Sequence, residues 1–384
     1  MAQTTSTFRS PTQVRFGRGT LSQLGETIQR YASRRVFIIT DTGVMRTGLL
    51  DRTTTYIRNA GIEWSQYANV EPNPSIETVE QASIGFSQSG AEAIIALGGG
   101  SVMDTAKAVA ILATNGGKIT DYEGYERVFK PPTPIIAVPT TAGTASEVTI
   151  FCVITDKSRH FKFTVASIHA TMAEALLDPE VTVTMPPALT AAVGMDTLTH
   201  AIESYVNKSA YPLTEALSLR SITLVHTSLE RAVQNGNDLD AREQMLMACW
   251  LAGVAFSQVR LGNVHAMSHP VGGWYNVPHG VANAIILPYV MEFNLPAATQ
   301  KFADIAAAMG HAPTSDFTTD AAAAITLVRQ LSSRIGIPSS LRAVGVPEEG
   351  LPTLAADAMK SGNVPLNPRS TSPEEMLELF RQCW

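Results

Sequence analysis

Hydrophobic positions follow one pattern in the first half of the chain and another in the second. Early on, short unbroken apolar runs alternate with stretches of helical periodicity. Residues 36–40 (VFIIT), 93–97 (AIIAL) and 135–138 (IIAV) carry no charged position, as expected for strands buried on both faces of a parallel sheet. Residues 148–155 and 162–165 read as further strands, and 47–60 and 76–89 as helices between the first two runs. This alternation predicts parallel βαβ architecture. The pattern changes near Thr184, Met185, Pro186 and Pro187. Beyond them 195–206, 213–235, 241–259, 280–293, 298–309, 319–335 and 373–382 all suit amphipathic helices,. The expected organisation is a Rossmann-like α/β domain over 1–184 followed by an all-α domain over 185–384. A length of 384 residues makes two domains the default,.

Two of the apolar runs end in loops suited to a ligand. The run 93–97 passes into Gly98, Gly99 and Gly100, and Ser101 then opens a helix. Glycines let a backbone approach a ligand closely, and the N–H groups at a helix start suit a pyrophosphate. A glycine triplet also closes plain turns, but strand before and helix after favour the nucleotide reading. The spacing is not GxGxxG, whose ribose-binding acid follows the glycines by about 20 residues. Here the candidate, Asp41, precedes them at the end of 36–40. A carboxylate there accepts from ribose hydroxyls and repels a 2′-phosphate, which favours NAD over NADP; a simple turn at Asp41, Thr42 and Gly43 is the alternative. After the third run, Thr140, Thr141 and Thr144 offer hydroxyls at a carboxyl edge of the sheet, or else form a polar loop that caps the next helix.

Candidate metal ligands fall in two compact segments. Asp196 and His200 stand four apart in GMDTLTHAIESYV, which on a helix brings their Cβ atoms to about 5–6 Å. His265, His269 and His279 follow within GNVHAMSHPVGGWYNVPHG, and the chain has only eight histidines. Three or four such nitrogen and oxygen donors converging on a point bind a divalent cation. By spacing alone, His265 and His269 look like a ligand pair.

Composition narrows the function classes. A net charge of −6 offers no footprint for nucleic acid or an anionic membrane,. No stretch approaches the roughly 18 apolar residues of a membrane span, and the N-terminus lacks the apolar core of a signal peptide. Cys152, Cys249 and Cys383 lie far apart with no CxxC, so buried reduced thiols in a cytoplasmic protein are expected.

Taken together, GGGSVMDTAKA (98–108), PTTAGTASEVT (139–149), MPPALTAAVGMDTLTHAIESYV (185–206), HAMSHPVGGWYNVPHGVANAIILPYVMEFN (265–294) and the final Asn367-Pro368-Arg369 resemble the iron-containing (group III) alcohol dehydrogenase family, which includes lactaldehyde reductases and 1,3-propanediol dehydrogenases. The resemblance runs in register from about residue 8 to the end. It implies a dehydroquinate synthase-like architecture: a nucleotide-binding α/β domain, a helical domain and a cleft between them. It implies Asp196, His200, His265 and His279 as metal ligands, with His269 beside the metal for proton exchange or for contact with the bound alcohol. It also implies Fe²⁺ or Zn²⁺ as the metal. For NAD it implies Asp41 at the adenosine ribose, and Gly98, Gly99, Gly100, Ser101 and Asp104 around the pyrophosphate and its loop. Thr140, Thr141 and Thr144 fall near the pyrophosphate and nicotinamide, Lys162 at a ribose, and Val181 and Leu189 beside the adenine. A homodimer or larger assembly is implied as well, and the segment FRSPTQVRFGRGTL is a candidate edge hairpin pairing across subunits.

The chain departs from the family's pattern at its expected substrate pocket. Phe151 stands where lactaldehyde-type members often carry Asn, and Arg260 and Asn263 replace small or aliphatic residues (VRLGNVH against a typical GLGLVH). Phe151 and Phe256 line an apolar pocket or simply pack in a core. Arg260 lies on the surface or, pointing inward, suits an anionic substrate. The expected activity is hydride transfer between NAD(H) and a small primary alcohol, diol or aldehyde. A dehydroquinate-synthase-like lyase and a non-catalytic metal-binding scaffold are the competing readings.

Overall fold

A computed structural model describes residues 5–31, 33–159 and 161–384. The chain forms two compact units, Ser10–Met185 and Pro186–Trp384, the N-terminal residues up to Arg9 belonging with the second. There the Arg9 backbone exchanges two hydrogen bonds with the Gln258 amide, at 3.0 and 2.8 Å.

In the first unit six parallel strands lie in the order Gln13–Phe16, Glu174–Leu177, Ile135–Pro139, Ala93–Gly98, Arg35–Ile39, Glu63–Tyr67. The predicted apolar runs form the buried centre: every residue of Ala93–Gly98 and Ile135–Pro139 is buried. Two of these strands escaped the sequence pattern, and a third, Gln13–Phe16, was anticipated only as part of an edge hairpin. Glu63–Tyr67 and Gln13–Phe16 are edge strands with exposed positions. Glu174–Leu177 is interior but opens with a charge. Arg15 at 2.9 Å and Arg30 at 2.6 Å balance the buried Glu174 carboxylate, which lets a charged residue sit in the sheet,.

Two expectations need correction here. The segment after Gln13–Phe16 makes no hairpin. Gly17 and Gly19, at φ 139° and 77°, turn the chain into the 3₁₀ turn Thr20–Gln23 and the helix Leu24–Arg30,. The Asp178 carboxylate fastens that turn by accepting from the Gly19 and Leu21 N–H groups. Nor does a strand begin at 148. Ser146–Val148 is a 3₁₀ turn, and the strand Phe151–Asp156 starts later, antiparallel to Phe161–Ala166 in a separate three-stranded sheet.

The second unit is helical: Pro187–Val206, Pro212–Gln234, Leu239–Val259, Asn263–Tyr275, His279–Asn294, Thr299–Ala308, Phe317–Arg334, Leu351–Ala358 and Pro373–Cys383. The first starts well before the predicted 195, with Pro187 at the position where a missing N–H costs nothing,. Asn263–Tyr275 was invisible as a helix. Its leading residues from Asn263 to Ser268 are all buried, so no polar stripe marks a period, and Pro270 sits inside it. Gly280 fixes one crossing: a Cβ there would lie 2.2 Å from the Ala192 carbonyl oxygen, so only glycine lets the start of His279–Asn294 press onto Pro187–Val206. Among the described residues no single helix is long and apolar enough to cross a membrane.

Arg260, just past the helix Leu239–Val259, adopts φ 68° and ψ −161°, a region essentially reserved for glycine,. Its side chain is exposed, with the guanidinium against Gly362. Arg260→Gly is therefore expected to raise unfolding free energy by about 1 kcal/mol in urea titrations. A drop would mean that the guanidinium contacts outweigh the backbone strain.

Candidate functional site

Within the helical unit, three elements deliver four ligand-type side chains to one place. Asp196 and His200 project from successive turns of Pro187–Val206, and both are buried. His265 comes from the first turn of Asn263–Tyr275, and His279 opens His279–Asn294. The Nε2 atoms of His200, His265 and His279 each lie 3.7 Å from the same atom, Asp196 Oδ1. Ligand atoms of Asp196, His265 and His279 all fall within 4.8 Å of one another. Burial opposes ionisation of Asp196, but the imidazoles of His200, His279 and His265 outweigh it and hold the carboxyl well below its usual range. Three imidazole nitrogens around one ionised oxygen form a donor set that fits a divalent transition metal.

Two further residues shape the cluster, and sequence reasoning passed over both. Glu203, buried, accepts from His265 Nδ1 at 2.6 Å with one oxygen and from the Val264 N–H at 2.6 Å with the other. A carboxylate only accepts, so His265 carries a proton on Nδ1 and turns Nε2 toward the cluster. Gly262 leaves room for this: a Cβ there would stand 2.9 Å from Glu203 Oε1. Asn283, fully buried, donates from Nδ2 to Asp196 Oδ1 at 2.7 Å and lies 3.2 Å from Nε2 of both His265 and His279. The signal was helical spacing. Glu203 stands at i+7 from Asp196 and i+3 from His200, and Asn283 at i+4 from His279, on the same faces.

His265 titrates upward. Burial alone would lower it, but Asp196 and Glu203 outweigh burial and push it up to about 9. A second proton on Nε2 would nonetheless find Asp196 Oδ1 at 3.7 Å, beyond hydrogen-bond reach,. The Asn283 nitrogen at 3.2 Å fits a lone pair there instead, so the contacts match the neutral ring.

His269 packs beside the cluster, its ring stacked on His279 with centroids 5.4 Å apart and edge-on to His265 at 6.0 Å. Phe256 stacks on His200 at 4.4 Å. Asn263, expected at a substrate pocket, is buried, with its amide donating to Thr371 at 2.8 Å and its backbone N–H to Asn367. That placement ties the helix start to the C-terminal segment. Leu189 is exposed.

In the sheet unit the glycine turn and the threonine loop are brought together. Gly99 caps the helix Gly100–Asn115 with φ −85°, so these glycines serve close approach rather than an unusual backbone. A Cβ on Gly99 would meet Thr141 at 3.2 Å, and one on Gly100 would meet Thr144 at 2.7 Å. Thr140 N–H donates to the Gly98 carbonyl at 3.0 Å. Ser101 Oγ accepts from the backbone of Asn73, whose φ is 57°. The Asn73 side chain in turn accepts from Lys162 Nζ at 2.8 Å. Asn73 was not anticipated, although an asparagine between Pro72 and Pro74 is a turn signal. Burial pushes the Lys162 ammonium down to about 8.

Other nucleotide candidates have structural duties. Asp41 caps the short helix Thr42–Arg46, accepting from the Val44 N–H at 2.9 Å. Asp104 spends one oxygen on Ser146 at 2.7 Å and the other on the Val153 N–H at 3.1 Å, clamping the 146–153 segment to its helix. Val181 is packed in the apolar core among Leu21, Val36 and Leu176. The Phe151 carbonyl accepts from the buried Lys107 ammonium at 2.7 Å.

Comparison with known proteins shows the family and the fold. The profile of the iron-containing alcohol dehydrogenases matches residues 11–179, and that of the Fe-containing alcohol dehydrogenase family, C-terminal, matches 190–384. A 1,3-propanediol dehydrogenase of Klebsiella pneumoniae is 43% identical over 372 residues, 96% of each chain. A lactaldehyde reductase of Escherichia coli K12 is 41% identical over 96% of this chain and 97% of its own. The crystal structure of a 1,3-propanediol oxidoreductase superposes with a TM-score of 0.97 at 42% identity, covering 99% of this chain and all of that one. The chain belongs to the iron-containing alcohol dehydrogenase family. It is thus an oxidoreductase.

Two predictions follow from the geometry. Glu203→Gln keeps the shape of the side chain but weakens the acceptor on His265, so zinc or ferrous affinity measured by chelator competition should fall by roughly 10–100-fold. Unchanged affinity would show that His265 needs no such support. The second concerns Glu147, which is buried beside the threonine loop with Oε1 lacking a partner. Burial pushes it up to about 7 from an ordinary 4.5, and Lys107 offsets this only in part. The folded carboxyl holds its proton to higher pH than the unfolded one. Its stabilising contribution is therefore complete below pH 4.5 and lost as pH rises through 7, a change of up to about 3 kcal/mol,. Glu147→Gln should remove that slope in urea titrations and be more stable than the parent at about pH 8.

Proposed function

We propose that the protein is an NAD-dependent, iron-type alcohol dehydrogenase that interconverts a small primary alcohol or diol and its aldehyde. One observation carries this reading: three imidazole nitrogens disposed at 3.7 Å around a buried, ionised carboxylate oxygen, in a chain that also builds a glycine turn against a threonine loop. Asp196, His200, His265 and His279 would hold Fe²⁺, with Zn²⁺ as an acceptable substitute, since the donor set suits both. Such a cation supplies Lewis acidity that stabilises negative charge on a substrate oxygen at neutral pH.

The remaining work falls to the chain's own groups. Glu203 fixes the His265 tautomer, and Phe256, stacked on His200, keeps water from one side of the cluster. His269, next to His279 and less buried than His265, receives the hydroxyl proton and passes it outward,. In the sheet unit Gly98, Gly99, Gly100 and Ser101 leave room for a pyrophosphate at the helix start. Thr140, Thr141 and Thr144 supply hydroxyls beside it, and Lys162 with Asn73 forms a polar pair at the same turn. Asp41, holding a carboxylate at the end of its strand, supports NAD over NADP.

We further infer a cytoplasmic homodimer or larger assembly. Three buried thiols suit a reducing compartment,. The edge strand Gln13–Phe16 pairs on one side only and offers its other side to a partner,.

His265→Ala is expected to abolish metal retention and NADH formation from short alcohols and diols, while NADH binding measured by fluorescence stays near the parent value. Full turnover in a metal-free His265→Ala protein would refute the assignment. Substrate turnover without net NADH formation would instead favour a lyase.

A further inference from the structure

Asn283 is a neutral side chain that touches three of the four candidate ligand residues, and hydrogen bonding fixes its orientation. The atom 2.7 Å from Asp196 Oδ1 is the amide nitrogen, which donates to the carboxylate oxygen,. That nitrogen has two hydrogens. One goes to Asp196. The other lies between Nε2 of His265 and Nε2 of His279, each at 3.2 Å. Glu203 holds the His265 proton on Nδ1, so Nε2 of His265 presents a lone pair. The carbonyl end of the same amide, Oδ1, is buried and has no partner among the described residues. Nothing else in the surroundings therefore selects this orientation; the ligand residues do.

A ring nitrogen has one lone pair in its plane, which can accept a hydrogen or bind a cation but not both. We propose that the Asn283 amide is a stand-in for the cation. It satisfies Asp196, His265 and His279 when the cation is away and must release the two histidines when one binds. The inference rests on the metal reading of this cluster and adds a residue outside the four-ligand set. A stand-in keeps a buried carboxylate and two imidazoles in place for loading, and it also competes with the metal. Asn283 is thus a positioning residue with opposite effects on the two forms of the protein.

The test is Asn283→Leu, which keeps approximate shape and removes the donor, compared with the parent in chelator-stripped and zinc-loaded form. Stripped Asn283→Leu should melt on the order of 5 °C lower, because Asp196 loses its buried donor. The zinc-loaded variant should lose less than half of that. Zinc affinity from competition with a chromogenic chelator should become about tenfold tighter, since a competitor is gone. Equal melting losses in both forms, or weaker zinc binding, would overturn the proposal and make Asn283 a support of the loaded site. A parent protein that takes up no zinc and no iron would instead sink the metal reading itself. If the leucine variant does not fold, Asn283→Ala gives the same comparison without added bulk.

Discussion

A carboxylate buried at the crossing of three helices governs the helical unit. Asp196 is only 2% exposed, and leaving its charge there unpaired would cost several kcal/mol,. The fold answers by bringing three imidazoles to 3.7 Å and an amide to 2.7 Å. His265 comes from a second helix, and His279 with Asn283 from a third, so the helices must cross closely. Gly280 against the Ala192 carbonyl and Gly262 against Glu203 are where the backbone gives way. Close helix packing and polar chemistry are here one constraint: a bulkier residue at either glycine would move a ligand and a core contact together.

The sheet unit uses small residues to a similar end. Gly99 and Gly100 have unexceptional backbone angles, and their absent Cβ atoms are what let Thr141 and Thr144 lie against the helix start. Behind this turn Asp104, Lys107 and Ser146 form a buried polar layer. It spends its hydrogen bonds on holding the loop rather than on offering them outward. Asp104, which the family resemblance places around the pyrophosphate loop, directs both its oxygens into this layer.

How much of this was legible depended on whether burial left a pattern. The central strands were plain because β-branched runs without charge have few alternatives, and most surface helices showed a polar stripe. Glu174–Leu177 was hidden by a charge that Arg15 and Arg30 neutralise from distant positions, and Asn263–Tyr275 by burial that erased its periodicity. The site divides in the same way. Histidines are rare enough to reveal a cluster from composition. Glu203 and Asn283 are common residue types, and only their helical offset from the ligands marks them. The departure from the family's pattern at Asn263 gave no sign that its side chain donates to Thr371 in the C-terminal segment.

Charge balance links these observations. Asp196 and Glu203 together bring two negative charges into a region where each is no more than 4% exposed, with His265 bridging them by Nδ1 at 2.6 Å and Nε2 at 3.7 Å. Neutral imidazoles leave that double charge uncompensated. The chain itself offers two remedies at the same atom, a second proton on His265, which the carboxylates favour up to about 9, and an amide hydrogen from Asn283. They exclude each other, because both require the one lone pair of Nε2. Either is partial: a proton cancels one charge and an amide cancels none. A dication held by Asp196, His200, His265 and His279 would cancel both and leave the buried cluster neutral. The pair of buried carboxylates thus suits a divalent cation, and Glu203, which would touch no metal, contributes to that match as much as Asp196 does,.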